Sequence, residues 1–265
     1  MIGALIGYIV GSRFERHNIK TKEFELFDDY CKATDDSVMT LALAAAILYS
    51  KEDRSNLSEK AVYCMRKFGH EYPHAGYGGL FKGWLEMKDP KPYGSMGNGA
   101  AMRVSSCRWA AESLEEAKLM SRLVTEVTHD SEDGLRGAEA TTVAIYMALH
   151  GRTKEEIGEV FKRDYYKIDF TLDDIRPSYK WGGKCHDTVP YAMEAFLESE
   201  SFEDAIRNAI SIGGDSDTLR AITGSVAEAY YGVPVDIREE AMDFLDELME
   251  DTLYQFESKY GQKDA

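Results

Sequence analysis

An all-α fold is the class this 265-residue sequence predicts, and three observations carry it. Val38 to Tyr49 is apolar on nearly every side, which at this length describes a central buried helix rather than a strand. Ile237, Ala241, Leu245, Leu248, Thr252 and Phe256 recur three or four apart among acidic residues, the pattern of one amphipathic surface helix. Convincing strand alternation is absent, so no sheet is available for the helices to cover.

Taken in order, Gly3, Gly7 and Gly11 fall four apart and would form a smooth stripe on an opening helix, where another backbone can approach closely. Residues 12–33 read as extended or irregular chain, and residues 70–103, rich in Gly, Pro and Tyr, as one long loop. Further helical patterns run from Asp133 to His150, Val189 to Leu197, Phe202 to Ile212 and Thr218 to Tyr231, the last containing Gly224 as another point of close packing. The polar stretch from Lys162 to Lys184 reads as a surface excursion, so residues 1–265 are expected to form one domain.

A net charge of -16 would repel a nucleic-acid backbone and excludes extended nucleic-acid binding, while small phosphorylated ligands stay compatible. Cys31, Cys64, Cys107 and Cys185 lie too far apart for a zinc ribbon and read as reduced thiols of a cytoplasmic protein. Met1 to Val10 lacks a basic n-region and is too short to span a bilayer, so neither an export signal nor a membrane anchor is expected.

Chemistry concentrates in two acidic clusters. Thr34-Asp35-Asp36-Ser37 precedes the buried helix, where capping alone would account for one oxygen-bearing side chain. Gly213-Gly214-Asp215-Ser216-Asp217-Thr218 also opens a helix, and its carboxylates exceed what a cap needs. If the two clusters meet, four carboxylates share one cavity, and each like-charged pair near 4 Å costs about 4 kcal/mol at an effective dielectric near 20. Divalent cations remove that cost. An all-oxygen donor set selects magnesium or manganese over zinc, and its size suits two ions.

Tyr93 to Arg103 supplies a third element: glycines at 94, 97 and 99 would present backbone N–H groups to an anion, or simply make a turn. Two other matches fail. Pro73 breaks the helical turn that a zinc-protease reading of His70-Glu71-Tyr72-Pro73-His74 requires. Asp215-Ser216-Asp217-Thr218 has the spacing of an aspartate-nucleophile phosphatase motif, but it lies near the C-terminus with no parallel strands to follow.

With these motifs in this order, the chain resembles the ADP-ribosylglycohydrolase family, which includes the dinitrogenase reductase-activating glycohydrolases. The resemblance covers Gly3 to Glu15, Thr34 to Thr40, Pro92 to Ser105, Thr128 to Ala140 and Gly213 to Gly224. It implies an orthogonal bundle of helices around a binuclear magnesium or manganese centre held by Thr34, Asp35, Asp36, Asp215, Asp217 and Thr218. It further implies a catalytic role for Glu15, Asp35 and Asp36, and a substrate-binding role for Gly97, Asn98, Gly99 and His129. The implied reaction is hydrolysis of an N- or O-glycosidic bond in an ADP-ribosylated protein or small molecule, by a monomer. An ADP-ribose binding module and a metal-dependent phosphohydrolase are the alternatives. One departure is Tyr8, which stands where many relatives carry Asp; it bears on packing near the metals, since all six implied ligands are present. Tyr77, Tyr179 and Trp181 are the aromatic candidates for the adenine side.

Overall fold

The computed structural model describes residues 1–15, 17–180 and 182–261, leaving out the side chains of Ser216 and Asp217. Its elements are α1 (Ile2–Ser12), α2 (Asp35–Tyr49), α3 (Leu57–Glu71), α4 (Gly79–Leu85), α5 (Gly99–Met102), α6 (Ser105–Ala110), α7 (Leu114–Thr125) and α8 (Glu132–Leu149). They continue with α9 (Lys154–Asp164), α10 (Leu172–Ile175), α11 (Cys185–Leu197), α12 (Phe202–Ser211), α13 (Ser216–Tyr231), α14 (Val235–Met242) and α15 (Glu247–Tyr260). Among the described residues the β pairing is one isolated bridge, Gly97 to Lys184, and no helix is long and apolar enough to cross a membrane.

The core is built on α1 and α13, which make the most extensive helix contact in the molecule. Every residue of α1 is buried. A Cβ on Gly3 would lie 2.4 Å from Gly224 O, one on Gly7 2.4 Å from Arg220 O, and one on Gly224 2.2 Å from Gly3 O. Two bare backbones therefore touch, as the glycine spacing predicts. Glu228 of α13 accepts from the Gly3 N–H at 2.9 Å and pairs with the Met1 amino group at 2.6 Å, so it answers the free donors at the start of α1.

Around this pair, α11, α12 and α8 pack on α13, and α2 packs on α3 and α15. Residues Asp36 to Ile47 of α2 are buried, which matches its all-round apolar sequence. Tyr8 is fully buried; its hydroxyl donates to Met102 O at 2.7 Å and lies 3.2 Å from Thr40 Oγ1, so it ties α1 to α2 and α5. All four cysteines are buried and unbridged.

Three expectations need correction. The pattern from Ile237 to Phe256 is two helices, because the chain turns through residues 243–246: Phe244 stacks on Phe27 at 5.7 Å, and Asp246 caps α15 by accepting from Met249 N at 3.0 Å. Residues 70–103 are not one loop but contain α4 and α5, since Trp84 and Leu85 are buried and Leu85 presses on Gly69 of α3. Lys162 to Lys184 is more than a surface excursion, with α10 inside it and Leu172 fully buried.

Two predictions follow from packing. Gly7→Ala should lower the unfolding free energy by about 1–3 kcal/mol, because the added methyl meets backbone that has no rotamer to yield; guanidinium unfolding measures it. The second concerns Glu194 on α11, whose Oε2 is buried without a hydrogen-bond partner. Burial and the neighbouring Glu198 charge raise its carboxyl from 4.5 to about 7. A carboxyl raised on folding is neutral at no cost below its unfolded value, and its cost grows as pH rises through the folded value. Glu194→Gln should thus match wild type near pH 4.5 and exceed it by about 3 kcal/mol at pH 8, a gain read from thermal unfolding across that range.

Candidate active site

Both acidic clusters sit at helix N-termini, where the dipole favours negative charge. Thr34 is the N-cap of α2, and Asp35 and Asp36 occupy its first turn. Ser37 Oγ accepts from the Thr34 N–H at 3.4 Å, whereas Thr34 Oγ1 is buried with no partner of normal hydrogen-bond geometry. The Asp35 N–H donates to Ala75 O at 3.0 Å, which pins the loop after α3 to this end of α2.

The second cluster depends on its glycines. Gly213 and Gly214 take φ of 68° and 85°, turning the chain from α12 into α13 so that Asp215 becomes the N-cap. A Cβ on Gly214 would lie 2.3 Å from Tyr179 Cε1, so the Tyr179 ring is seated where a side chain would be. A strap from the segment after α1 holds the turn: Asn18 Oδ1 accepts from Gly214 N at 2.7 Å, and Lys20 Nζ donates to Tyr179 O at 2.9 Å and also to Ile212 O.

The clusters meet. Thr218 Oγ1 donates to Asp36 Oδ2 at 2.8 Å, across 182 positions of sequence. Asn98 Nδ2 donates to Asp215 Oδ2 at 2.7 Å and lies 3.1 Å from Thr188 Oγ1, joining the glycine loop to the same group. Asp36 and Asp215 are both buried. They open on a cavity of about 550 Å³ that Glu15, Asp35, Asn98, Gly99, His129 and Thr218 also line. Among the described residues no set of three or more His, Cys, Asp or Glu side chains forms a ready metal cluster. The expectation placed on Asp217 falls on a side chain outside the described residues.

Thr34 and Gly97 are not among the residues that line this cavity. Gly97 bridges to Lys184, and its carbonyl accepts from Cys185 Sγ at 3.3 Å, which fastens the glycine loop to the start of α11. His129 is buried beside the fully buried Arg103, and burial together with that guanidinium charge pushes its imidazole well below 6.5. It is therefore neutral at physiological pH.

Several cavity residues have no sequence signal. Phe81 and Tyr93 line the wall, with Arg103 lying 5.8 Å over the Phe81 ring and Tyr93 6.0 Å from the His129 ring. Of the aromatic candidates, Tyr179 lies under Gly214 and packs on Tyr191 at 4.3 Å, Tyr77 packs on Phe81 at 5.7 Å, and Trp181 is outside the described residues. The mouth is bordered by Gly76, Gly78, Gly79 and Leu80; a Cβ on Gly78 or Gly79 would meet nothing within 4 Å, and Leu80 is 74% exposed.

A sequence profile of the ADP-ribosylglycohydrolase family matches residues 1–263. The mouse protein ADP-ribosylhydrolase ARH3 is 25% identical, covering 88% of this chain and 83% of its own length. ADP-ribosylarginine hydrolase Tri1 of Pseudomonas putida is 28% identical over 57% of this chain and 42% of its own. A solved structure described as an ADP-ribosylglycohydrolase-related protein complex has the same fold, with a TM-score of 0.68, 22% identity and coverage of 96% of this chain and 95% of that one.

Gly214→Ala should cost about 2–4 kcal/mol, combining positive-φ strain with displacement of Tyr179. Gly232→Ala, at φ 76° with open space beside it, should cost about 1 kcal/mol. Parallel denaturant curves separate the two contributions.

Proposed function

The chain belongs to the ADP-ribosylglycohydrolase family, and on that premise we propose that it hydrolyses the glycosidic bond of ADP-ribosylated substrates and releases ADP-ribose. The observation that carries this reading is the meeting of Asp36 and Thr218 at 2.8 Å beside a cavity that Asp35, Asp215 and Glu15 also reach. The names of the mouse and Pseudomonas relatives support the reaction class.

Two divalent cations, magnesium or manganese, are part of the proposal. The fit rests on chemistry: the donors are carboxylate and hydroxyl oxygens, which suit a hard ion, and Thr34 Oγ1, buried beside Asp35 and Asp36, has no partner of normal hydrogen-bond geometry. Thr34, Asp35, Asp36, Asp215, Asp217 and Thr218 would hold them. When bound, such ions polarise ribose hydroxyls and ease deprotonation of water.

The other steps fall to the chain. Asn98 and Gly99 seat the ligand against the loop, while Phe81 and Met39 line the wall and keep water from the reacting bond. Glu15, exposed on the segment after α1 yet lining the cavity, would move a proton to or from the leaving group.

A panel of peptides and small molecules carrying defined ADP-ribosyl linkages tests the reading. Release of ADP-ribose should require added magnesium or manganese, stop with excess EDTA and fall by about a hundredfold or more in Asp36→Ala. Full turnover in EDTA would contradict the metal proposal. Tight ADP-ribose binding without turnover would identify a binding module, and phosphate release from nucleotides a phosphohydrolase.

A further inference from the structure

Behind the glycine loop, three side chains form a series whose protons can be counted. Arg103 is 1% exposed, forms no ion pair among the described residues, and has only donors to offer. Its Nη2 donates to Thr128 Oγ1 at 2.6 Å and stands 3.4 Å from His129 Nδ1. Thr128 Oγ1 therefore accepts from the guanidinium and keeps one proton to place. Two acceptors are in reach, His129 Nδ1 at 2.7 Å and Thr125 O at 3.4 Å, and the nearer receives it. Nδ1 then faces two donors and carries no proton, which leaves the ring proton on Nε2.

Nε2 points the other way. It lies 3.4 Å from the position of a Cβ on Gly97 and 3.5 Å from one on Gly99, on the cavity that Gly99 and His129 both line. The missing side chains at 97 and 99 keep the space in front of that nitrogen clear.

We propose that Arg103 and Thr128 are positioning residues that hold His129 as its Nε2–H tautomer, a neutral donor for a phosphate oxygen seated in the cavity against Gly99. The phosphate rests on the ADP-ribosyl reading above; the tautomer does not. The ionisable groups around the ring are Arg103 behind it, Tyr93 facing it at 6.0 Å and Asp130 next along the chain. Burial and the guanidinium both disfavour the imidazolium, so the ring donates a hydrogen bond without shuttling protons. The buried charge of Arg103 also adds positive potential to a cavity that Asp35, Asp36 and Asp215 line as well.

Nitrogen-15 NMR of the imidazoles in the full-length protein tests the tautomer directly. His129 should show a proton on Nε2 and none on Nδ1 from about pH 5.5 to 8, without titrating. A proton on Nδ1, or a titration in that range, overturns the proposal. Thr128→Ser should keep the single tautomer and Thr128→Val should lose it; an unchanged spectrum in the valine variant overturns the part given to Thr128. Calorimetry with ADP-ribose tests the donor. His129→Phe should weaken binding by about tenfold, and His129→Gln, which places an N–H near the Nε2 position, should recover most of it. Equal loss in both overturns the donor role. If wild type does not bind ADP-ribose at all, the functional reading falls and the spectrum still decides the tautomer.

Discussion

Everything in this molecule is organised around gathering carboxylates that repel one another. Asp36 and Asp215 are buried at one cavity that Asp35 also lines, and like charges gathered away from bulk water repel one another more strongly than they would in solvent. The protein offsets part of this itself. Each cluster occupies a helix N-terminus, Thr218 donates to Asp36, Asn98 donates to Asp215, and Arg103 stands buried nearby. What remains is the negative charge that the proposed hard cations would neutralise.

Holding two helix starts face to face requires a rigid frame, and the frame is backbone. Gly3, Gly7 and Gly224 let α1 and α13 touch without side chains between them, so neither helix can roll without a clash. Tyr8 extends that rigidity to α2 and α5 through its hydroxyl. The strap of Asn18 and Lys20 then closes over the Gly213-Gly214 turn and brings Glu15 to the same cavity.

Legibility in the sequence follows the range of the interaction. The buried helix α2 is readable because burial on all sides leaves an apolar run, and the glycine stripe of α1 because bare contacts need a fixed period. The acidic clusters stand out because they exceed what capping needs. Helix α4 is hidden because Gly79 and Gly83 weaken its local preference, and tertiary contacts stabilise it, among them the buried Leu85 against Gly69 of α3. The break between α14 and α15 is hidden because Leu245 and Met249 keep the apolar spacing across it, while the capping Asp246 is one acid among many. Phe81 and Tyr93 reach the cavity through tertiary placement, which no local pattern encodes.

The glycine border of the cavity divides labour within the site. Its floor is tied into the helical frame and tolerates little change, but Gly78 and Gly79, which open α4, face open space where a side chain would meet nothing within 4 Å. Under the proposed function, the group attached to the ligand's outer end would meet bare main chain at Gly78 and Gly79, an entrance with no gatekeeper. One new side chain there would narrow the doorway while leaving the acidic interior intact, so descendants of this chain can change clientele without rebuilding their chemistry.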